Sequence, residues 1–295
     1  MFPVPHRPSF RVAAAAALLV AVAACSPEDA APPAAASASA SASNAACAKA
    51  NLRLVTKGTL TVGTDKPAYE PWFKADNPAN GQGFESAVAY AVADKLGFSR
   101  SEVTWTTVPF NASFAPGRKK FDFDINQISI TEARRKAVDF SSGYFTVSQA
   151  VVALTSSKVA DAKSVADLKD AKIGAQVGTT SLEAIRSTVQ PSQQPAVYND
   201  NNDVVTALKN GTIDAAVFDL PTAFYLTAAE IEGSKIVGQF PTPGGQAEQF
   251  GLLFEKGSPL VPCVDQALAA LRSGGELAKI QQQWLSDEAN ARVLK

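Results

Sequence analysis

Three charged residues stand at or just after predicted strand ends, which are positions where side chains can do chemistry. Asp65 and Asp219 each close an apolar, strand-like segment, and Arg134 lies in the first turn of a short predicted helix. A guanidinium group binds a carboxylate through two parallel hydrogen bonds, and an aspartate suits an ammonium group. Together the three side chains fit a zwitterion. Each also has a structural interpretation. Asp65 can be a turn residue or a helix cap, Asp219 can start a turn, and Arg134 can be one solvated charge beside Arg135.

A predicted helix begins at the segment GTTS, residues 178–181, directly after a strand-like segment at 172–176. Backbone N–H groups at a helix N-terminus favour anions, so Thr179 and Thr180 are candidates for binding a carboxylate. The segment lacks the lysine of a phosphate-binding P-loop, and the chain contains no G-x-G-x-x-G motif. The alternative is that these threonines only cap the helix.

Two aromatic residues follow predicted strand ends. Tyr69 comes shortly after Asp65, and Phe110 follows the strand predicted at 103–109. A ligand side chain can lie between two such rings. Aromatic residues are more often core residues, which is the alternative interpretation of both.

The elements that position these residues alternate along the chain. Strand-like segments alternate with helical patterns, the clearest helices being 85–96, 181–189, 204–209 and 264–284, and the alternation restarts near residue 145. This order predicts parallel βαβ units. Two α/β blocks predict a two-lobed protein, each lobe a mostly parallel sheet flanked by helices. Open α/β sheets bind ligands at the carboxyl ends of their strands, so the ligand is expected in the interlobe cleft.

The N-terminus predicts export. Arg7 and Arg11 precede an apolar run of about a dozen residues, too short for a membrane-spanning helix of ~20. The run ends in VAAC at Cys25, which resembles the lipobox of bacterial lipoproteins. We therefore expect a signal peptide at 1–24, lipid on Cys25, and a flexible Ala/Ser/Pro linker at 25–50. The alternative is an ordinary signal peptide with a chance cysteine.

Composition excludes several classes of function. Removal of residues 1–24 takes away the only histidine, so catalytic triads and sites that use histidine are excluded. Positive residues fall from 27 to 25 against 28 acidic residues, a net charge of about −3, which does not indicate nucleic acid binding. We expect no metal and no cofactor. Cys47 and Cys263 are either a disulfide, which an oxidising compartment favours, or two buried thiols.

The order and spacing of several motifs resemble the polar amino acid-binding proteins of ABC importers, which are extracytoplasmic solute-binding proteins of family 3 with the type II periplasmic-binding fold. The motifs are GTLTVGTD (58–65), PW (71–72), GFE (83–85), SITEAR (129–134), VDFS (138–141) with Tyr144, GTT (178–180), and DAAV (214–217) with Asp219. The resemblance covers about residues 58–285, and residues 129–141 are its most specific part.

The resemblance implies a role for each candidate residue. Arg134 would bind the ligand α-carboxylate, helped by Ser129 and Thr180, and Asp219 would bind the α-ammonium group. Tyr69 and Phe110 would flank the ligand side chain, and Asp65 would face its polar end. The full set of expected ligand-binding residues is Asp65, Tyr69, Phe110, Gln127, Ser129, Arg134, Thr179, Thr180 and Asp219.

The resemblance also implies boundaries and partners. Lobe 1 would comprise 51–149 and 247–295, lobe 2 would comprise 150–246, and hinge strands would lie near 147–152 and 244–249. Partners would be a polar amino acid and the membrane permease, with the chain a lipid-anchored monomer on the outer face of the cell membrane or in the periplasm. Asp65 favours glutamine, asparagine, lysine, arginine or histidine.

Some features depart from the family pattern, and two other functions remain open. Asn126 and Gln127 stand where many relatives carry small residues, the segment 110–122 is one residue short, and Tyr69 is one residue late. The first alternative function is an enzyme similar to periplasmic dehydratases of cyclic amino acids, although no histidine and no evident spare carboxylate would serve as its acid or base. The second is a ligand sensor.

Overall fold

The structure is a computed structural model that describes residues 45–240, 247–285 and 291–295. The predicted signal peptide, Cys25 and most of the predicted linker lie outside the described residues. Within the described ranges, no helix is long and apolar enough to cross a membrane.

The first of two large sheets forms the centre of lobe 1. Its strands are β1 (Leu60–Thr64), β2 (Val103–Thr107), β3 (Phe123–Asp124), β4 (Val138–Phe140) and β12 (Leu253–Glu255). They lie in the order β2-β1-β3-β12-β4. β1 pairs in parallel with β2 and β3, and β12 is antiparallel to β3 and β4. Four of the five strands therefore run in one direction, and their carboxyl ends meet at one edge.

The second sheet forms the centre of lobe 2. Its strands are β6 (Gln149–Leu154), β7 (Ile173–Gln176), β8 (Ala196–Tyr198), β9 (Ala215–Asp219) and β10 (Ser234–Gln239). They lie in the order β10-β6-β9-β7-β8, and only β6 runs against the other four. Alternate residues of β9 enter two separate apolar clusters, one on each face of the sheet. Because both faces are covered, the strands are apolar without interruption.

Two short strands lie where the chain passes between the lobes. They are β5 (Phe145–Val147) and β11 (Glu248–Phe250), which pair antiparallel. β5 leads from lobe 1 into β6 of lobe 2, and β11 leads back into β12 of lobe 1. The reversed strands of the two sheets, β6 and β12, are thus the strands that follow the two crossings of the chain between the lobes.

Helices cover both sheets. Lobe 1 carries α1 (Phe84–Lys95), α2 (Phe110–Ser113), α3 (Glu132–Arg135), α7 (Val261–Ser273) and α8 (Glu276–Leu285), and lobe 2 carries α4 (Thr180–Ala184), α5 (Asn201–Lys209) and α6 (Leu220–Tyr225). One turn of π-helix extends α4 to Val189, and another extends α6 to Glu230. α1 buries eight of its twelve residues because α7, α8 and the sheet surround it.

The two ends of the described chain are attached to different lobes. Cys47 is disulfide-bonded to Cys263 in α7 of lobe 1. At the other end, Val293 pairs with Gln239 of β10, and Leu294 is fully buried in an apolar cluster of lobe 2. Gly238 permits this close approach, because an added Cβ there would lie 2.7 Å from the carbonyl oxygen of Arg292.

Residues 291–295 therefore differ from the prediction, which assigned the whole of 247–295 to lobe 1. The physical reason is the exposed edge of β10. An edge strand has unpaired backbone groups, and the tail pairs with them: the Gln239 amide donates to the Arg292 carbonyl (2.8 Å) and the Leu294 amide to the Gln239 carbonyl (2.9 Å).

Several predicted elements are also shorter or divided. The strand expected at 121–125 is only β3, and β4 occupies the end of the helix expected at 132–138. The apolar run 145–154 is two strands, β5 and β6. Residues 121–125 and nearly all of 149–154 are buried, so their apolar residues show no periodicity from which a boundary could be recognised.

Candidate functional site

A cavity lies between the lobes at the carboxyl ends of both sets of parallel strands. Lobe 1 contributes Asp65, Tyr69, Phe110, Asn126 and Gln127, and lobe 2 contributes Gln176, Thr179, Thr180, Ser181, Asn201 and Asp219. Its volume is about 30 Å³, well below the roughly 300–1,000 Å³ of typical ligand pockets. The lobes are therefore closed on each other, and entry of a small solute requires them to separate.

The cavity includes seven of the nine predicted ligand-binding residues. Arg134 instead lines an adjoining interlobe groove of about 450 Å³, which shares Thr179 and Thr180 with the cavity. Ser129 links the two places, because its hydroxyl lies 3.2 Å from that of Thr180 across the cleft. Larger depressions near the disulfide and beside α8 do not contain this set of charged residues.

Arg134 is buried, so the interpretation of a solvated charge run does not describe it. Thr131 caps α3 by accepting from the Arg134 amide (3.1 Å), and this turn directs the side chain into the cleft. One guanidinium nitrogen donates to the Ser129 carbonyl (2.7 Å) and the other to the Gly178 carbonyl of lobe 2 (3.0 Å). The group also lies over the Phe114 and Phe110 rings, 4.6 and 5.5 Å from their centroids.

The guanidinium group of Arg134 is still a cation at neutral pH. Burial lowers the pKa of Arg134 to about 10, and the charges of Glu248 and Asp219 oppose that shift. Arg134 can therefore bind a carboxylate while it connects the lobes.

Asp219 lies at the end of β9, at the boundary with α6. Its side chain makes no cap hydrogen bond to that helix. Instead its carboxylate accepts a hydrogen bond from Nε2 of Gln149 (2.7 Å). Burial, and then the nearby charge of Glu248, raise the pKa of Asp219 to about 8. A ligand ammonium group beside it would reverse that shift.

Asp65 has a structural role in addition to lining the cavity. One carboxylate oxygen accepts from the Lys66 amide (2.7 Å) and the other from the Phe110 amide (3.1 Å), which ties the end of β1 to the start of α2. Burial raises the pKa of Asp65. Each oxygen retains a lone pair for a ligand.

The two predicted aromatic partners differ in their surroundings. Phe110 packs edge-on against Phe114 (5.4 Å between centroids) and under Arg134. The Tyr69 hydroxyl is buried without a hydrogen-bond partner among the described residues. Burial and the charge of Asp200 raise the pKa of Tyr69 above its usual range. An unpartnered hydroxyl at the cavity is free to bond a ligand.

Gln127 is held by a buried acid. Its backbone has φ +47°, and both its amide N–H (2.7 Å) and its side-chain amide donate to Glu85. Glu85 is fully buried in α1 and also accepts from the Tyr144 hydroxyl. Burial raises the pKa of Glu85 to about 7. The glutamine side chain, which departs from the family pattern, is thus bound within lobe 1.

Thr179 has the cap role that was the alternative to ligand binding. Its hydroxyl accepts from the Leu182 amide (3.1 Å) and donates to the Gln176 carbonyl (2.7 Å). Thr180, in contrast, directs its hydroxyl across the cleft toward Ser129 and also lies 3.4 Å from Nε2 of Gln149. Thr179 therefore stabilises the start of α4, and Thr180 places its hydroxyl in the cleft.

The nine residues predicted to bind the ligand leave out several polar residues of the cleft. Asn126, Gln176, Ser181 and Asn201 line the cavity, and the side-chain amide nitrogen of Asn126 is buried without a partner. Gln176 ends β7 and Asn126 follows β3, so the rule of strand ends could have identified both. Gln149 and Glu248 lie on the connections between the lobes, where no local pattern indicates a site.

One further contact closes the cleft. The indole N–H of Trp72 in lobe 1 donates to the Thr222 hydroxyl in lobe 2 (2.8 Å), and both residues are buried. The described residues contain no group of three or more His, Cys, Asp or Glu that could hold a metal ion.

Two lobes joined by paired strands, with a polar cleft between the carboxyl ends of their sheets, define the class of two-lobed solute-binding proteins. The sequence model of the bacterial extracellular solute-binding proteins, family 3, matches residues 60–287. The chain belongs to this family.

Known proteins of similar sequence or structure include amino acid-binding proteins. The arginine-binding extracellular protein ArtP of Bacillus subtilis (strain 168) is 28% identical over 251 residues, which cover 82% of this chain and 92% of that protein. The solved structure of an ancestral arginine-binding protein bound to glutamine has a TM-score of 0.66 and 33% identity, covering 79% of this chain and 100% of that one.

A third comparison bears on enzymatic function. The structure of AncCDT-1, described as an ancestral amino acid-binding protein and a precursor of cyclohexadienyl dehydratase, has a TM-score of 0.64 and 30% identity, covering 77% of this chain and 95% of that one.

Proposed function

We propose that this chain is the substrate-binding component of an amino acid ABC importer, and that it binds a polar amino acid as a zwitterion between its lobes. The observation that carries the proposal is the pair Arg134 and Asp219. A buried cation of lobe 1 and a carboxylate of lobe 2 face the same cleft, each close enough to alter the pKa of the other. The family and the amino acid-binding relatives support it.

We further propose that the ligand is a basic amino acid, with arginine first among the five amino acids expected from Asp65. Around the cleft, Asp65, Asp219, Glu248 and Glu85 are acidic, and Arg134 is a cation whose charge interacts with Asp219 and Glu248. A ligand with a cationic side chain compensates this excess of acidic groups, and a neutral one does not. ArtP, one of the relatives, is named as an arginine-binding protein.

A thermal-shift panel of amino acids tests both proposals. At 100 times its Kd a ligand adds about 2.7 kcal/mol to the free energy of unfolding, which in a protein of this size raises Tm by about 5–10 °C. We expect this shift with L-arginine and not with agmatine, which is arginine without its carboxylate. Shifts with acidic or aliphatic amino acids alone would contradict the role of Asp65. If no amino acid shifts Tm, the proposed function is wrong.

We infer that the chain binds its ligand without transforming it. The likeness to AncCDT-1 is the specific observation that favours the alternative, an amino acid dehydratase. Moreover the cleft does contain acids beyond the predicted set, since Glu248 lies beside Asp219. Analysis of products after long incubation with cyclic amino acids decides the question, and formation of any product would contradict a pure binding role. A sensing role would leave uptake of the amino acid unchanged in a deletion strain.

We also propose that the mature chain is an exported monomer, anchored by lipid on Cys25. The charged and apolar pattern of residues 1–25 supports this proposal. Mass spectrometry of the mature N-terminus is expected to show Cys25 as the first residue, carrying a diacylglyceryl group on its thiol. An unmodified terminus, or cleavage at another position, would contradict it.

A further inference from the structure

Two carboxylates in the cleft share one hydrogen-bond donor. Nε2 of Gln149 donates to Asp219 (2.7 Å) and to Oε2 of Glu248 (3.1 Å). Because both oxygens lie within hydrogen-bond distance of the same nitrogen, the two acids are close neighbours. Asp219 belongs to lobe 2, and Glu248 belongs to β11, the strand that leads back to lobe 1.

The orientation of the Gln149 amide is set by its surroundings. Its oxygen accepts from the Ser181 hydroxyl (2.6 Å), so its nitrogen faces the two acids. The reverse orientation would direct the amide oxygen at two carboxylates, which have no proton to donate when ionised. The second oxygen of Glu248 accepts from the Ser129 hydroxyl of lobe 1. Glu248 therefore contacts polar groups of both lobes.

The charged groups around Asp219 and Glu248 do not neutralise the two carboxylates. Asp219 faces Glu248 of β11 and Glu85 of α1, and Arg134 of α3 is the cation among the described groups that act on it. Tyr144, between β4 and β5, completes the titratable surroundings. Burial and the second negative charge beside it favour the protonated form of Asp219.

We propose that Glu248 is a positioning residue for the ammonium end of the ligand, and that Asp219, beside it, releases a proton when a ligand ammonium group enters the closed cleft. This inference rests on the proposed function. Glu248 orients Gln149 and Ser129, which contact Asp219 and Thr180, and it adds the second negative charge that retains the proton while no ammonium group is present.

Before binding, Asp219 holds a proton, and the amino acid in solution already carries its ammonium group. On binding, the ammonium N–H groups replace that proton as donors to the pair, and the proton passes to the buffer. No covalent bond of the ligand breaks.

The sign of the pH dependence follows. The pKa of Asp219, raised to about 8 in the cleft without ligand, is lowered by the ammonium group. At pH values between the pKa of Asp219 with ligand and its pKa without ligand, binding releases a proton. The affinity for the ligand therefore rises with pH up to about 8, by at most about tenfold per pH unit. Glu85, whose pKa is about 7, remains bound to Gln127 and is unchanged in the variants below.

Titration calorimetry in phosphate and in Tris, at pH 6, 7 and 8, measures the released proton. The probe is the amino acid that gives the largest shift in the thermal panel, which we expect to be L-arginine. In the wild type, the binding enthalpies measured at pH 7 in the two buffers should differ by nearly the difference between the ionisation enthalpies of phosphate and Tris, because nearly one proton is released. Kd should fall by roughly 50-fold from pH 6 to pH 8, as release of nearly one proton below pH 8 requires.

Substitutions at Glu248 test whether this residue positions the ligand or only supports the fold. Glu248→Gln keeps the shape of the side chain and removes the acid. Burial still raises the pKa of Asp219 in this variant, so the buffer difference and the pH dependence of Kd should both become smaller. Glu248→Asp keeps an acid and should retain proton release. Glu232→Gln, an exposed acid of lobe 2, should behave as the wild type. Tm of each variant without ligand reports folding.

The outcomes are distinguishable from failure of the proposed function. If no amino acid binds the wild type, the proposed function is wrong. If an amino acid binds without proton release, or Glu248→Gln releases as much as the wild type, the inference about Glu248 alone is overturned.

Discussion

Arg134→Ala should weaken amino acid binding by about 2–5 kcal/mol, which is roughly 30- to 5,000-fold in Kd. The substitution leaves the ligand carboxylate in a closed cleft without its cation. It also removes the hydrogen bond from the guanidinium to the Gly178 carbonyl, one of the contacts that hold the lobes together. Titration calorimetry with L-arginine measures the loss.

The chain supplies a matched control one residue away. Arg135 is exposed, and its guanidinium lies over Phe140 on the outside of lobe 1. Arg135→Ala should therefore leave Kd within about twofold, as expected of a surface charge. Arg134→Met, which keeps the packing against Phe110 and Phe114, should lose affinity as Arg134→Ala does. Equal affinities for the Arg134 and Arg135 variants would remove Arg134 from the site.

Asp219→Asn should cost a similar amount, about 2–5 kcal/mol, because the ligand ammonium group loses its anionic partner in a partly buried site. The Gln149 amide can still donate to the asparagine oxygen, so the fold should be preserved. Calorimetry with L-arginine measures the change. Asp214→Asn is the control, because Asp214 precedes β9 and accepts from the Lys172 amide, away from the cleft.

A ligand analogue makes the test specific for the ammonium group. 5-Guanidinopentanoic acid is arginine without its α-amino group. If Asp219 binds that group, Asp219→Asn should weaken binding of arginine and change binding of the analogue little. An equal loss for both ligands would show that Asp219 acts on the closed cleft in general.

The part of the site that could be predicted lies at the strand ends. Asp65, Phe110, Gln127 and Asp219 were expected there and all line the cavity. Strands with an uninterrupted apolar pattern are recognisable locally, and the carboxyl ends of parallel strands must meet at one edge, so the sequence indicates that these residues lie together. That they bind a ligand stays a prediction. Asn126 and Gln176 obey the same rule and could have been included.

Other residues could not be predicted. Glu85 lies in the first turn of α1, where an acidic residue is common because it favours the positive end of the helix dipole. Glu248 lies on a connecting strand with no side-chain pattern of its own. Their importance comes from contacts with Gln127, Ser129 and Gln149, which are 42 to 119 residues away along the chain. No local pattern encodes such distances.

Cys25, the apolar run before it and the absence of histidine after it are properties of the sequence alone, and so is the order of strands and helices that predicts a two-lobed α/β protein. Local composition and periodicity determine them. Only the tertiary structure decided that Arg134 is buried while Arg135 is exposed, that Thr179 caps a helix while Thr180 faces the cleft, and that Glu248 shares a donor with Asp219. Burial and pKa depend on which distant segments meet, and closure of the lobes brings those segments together.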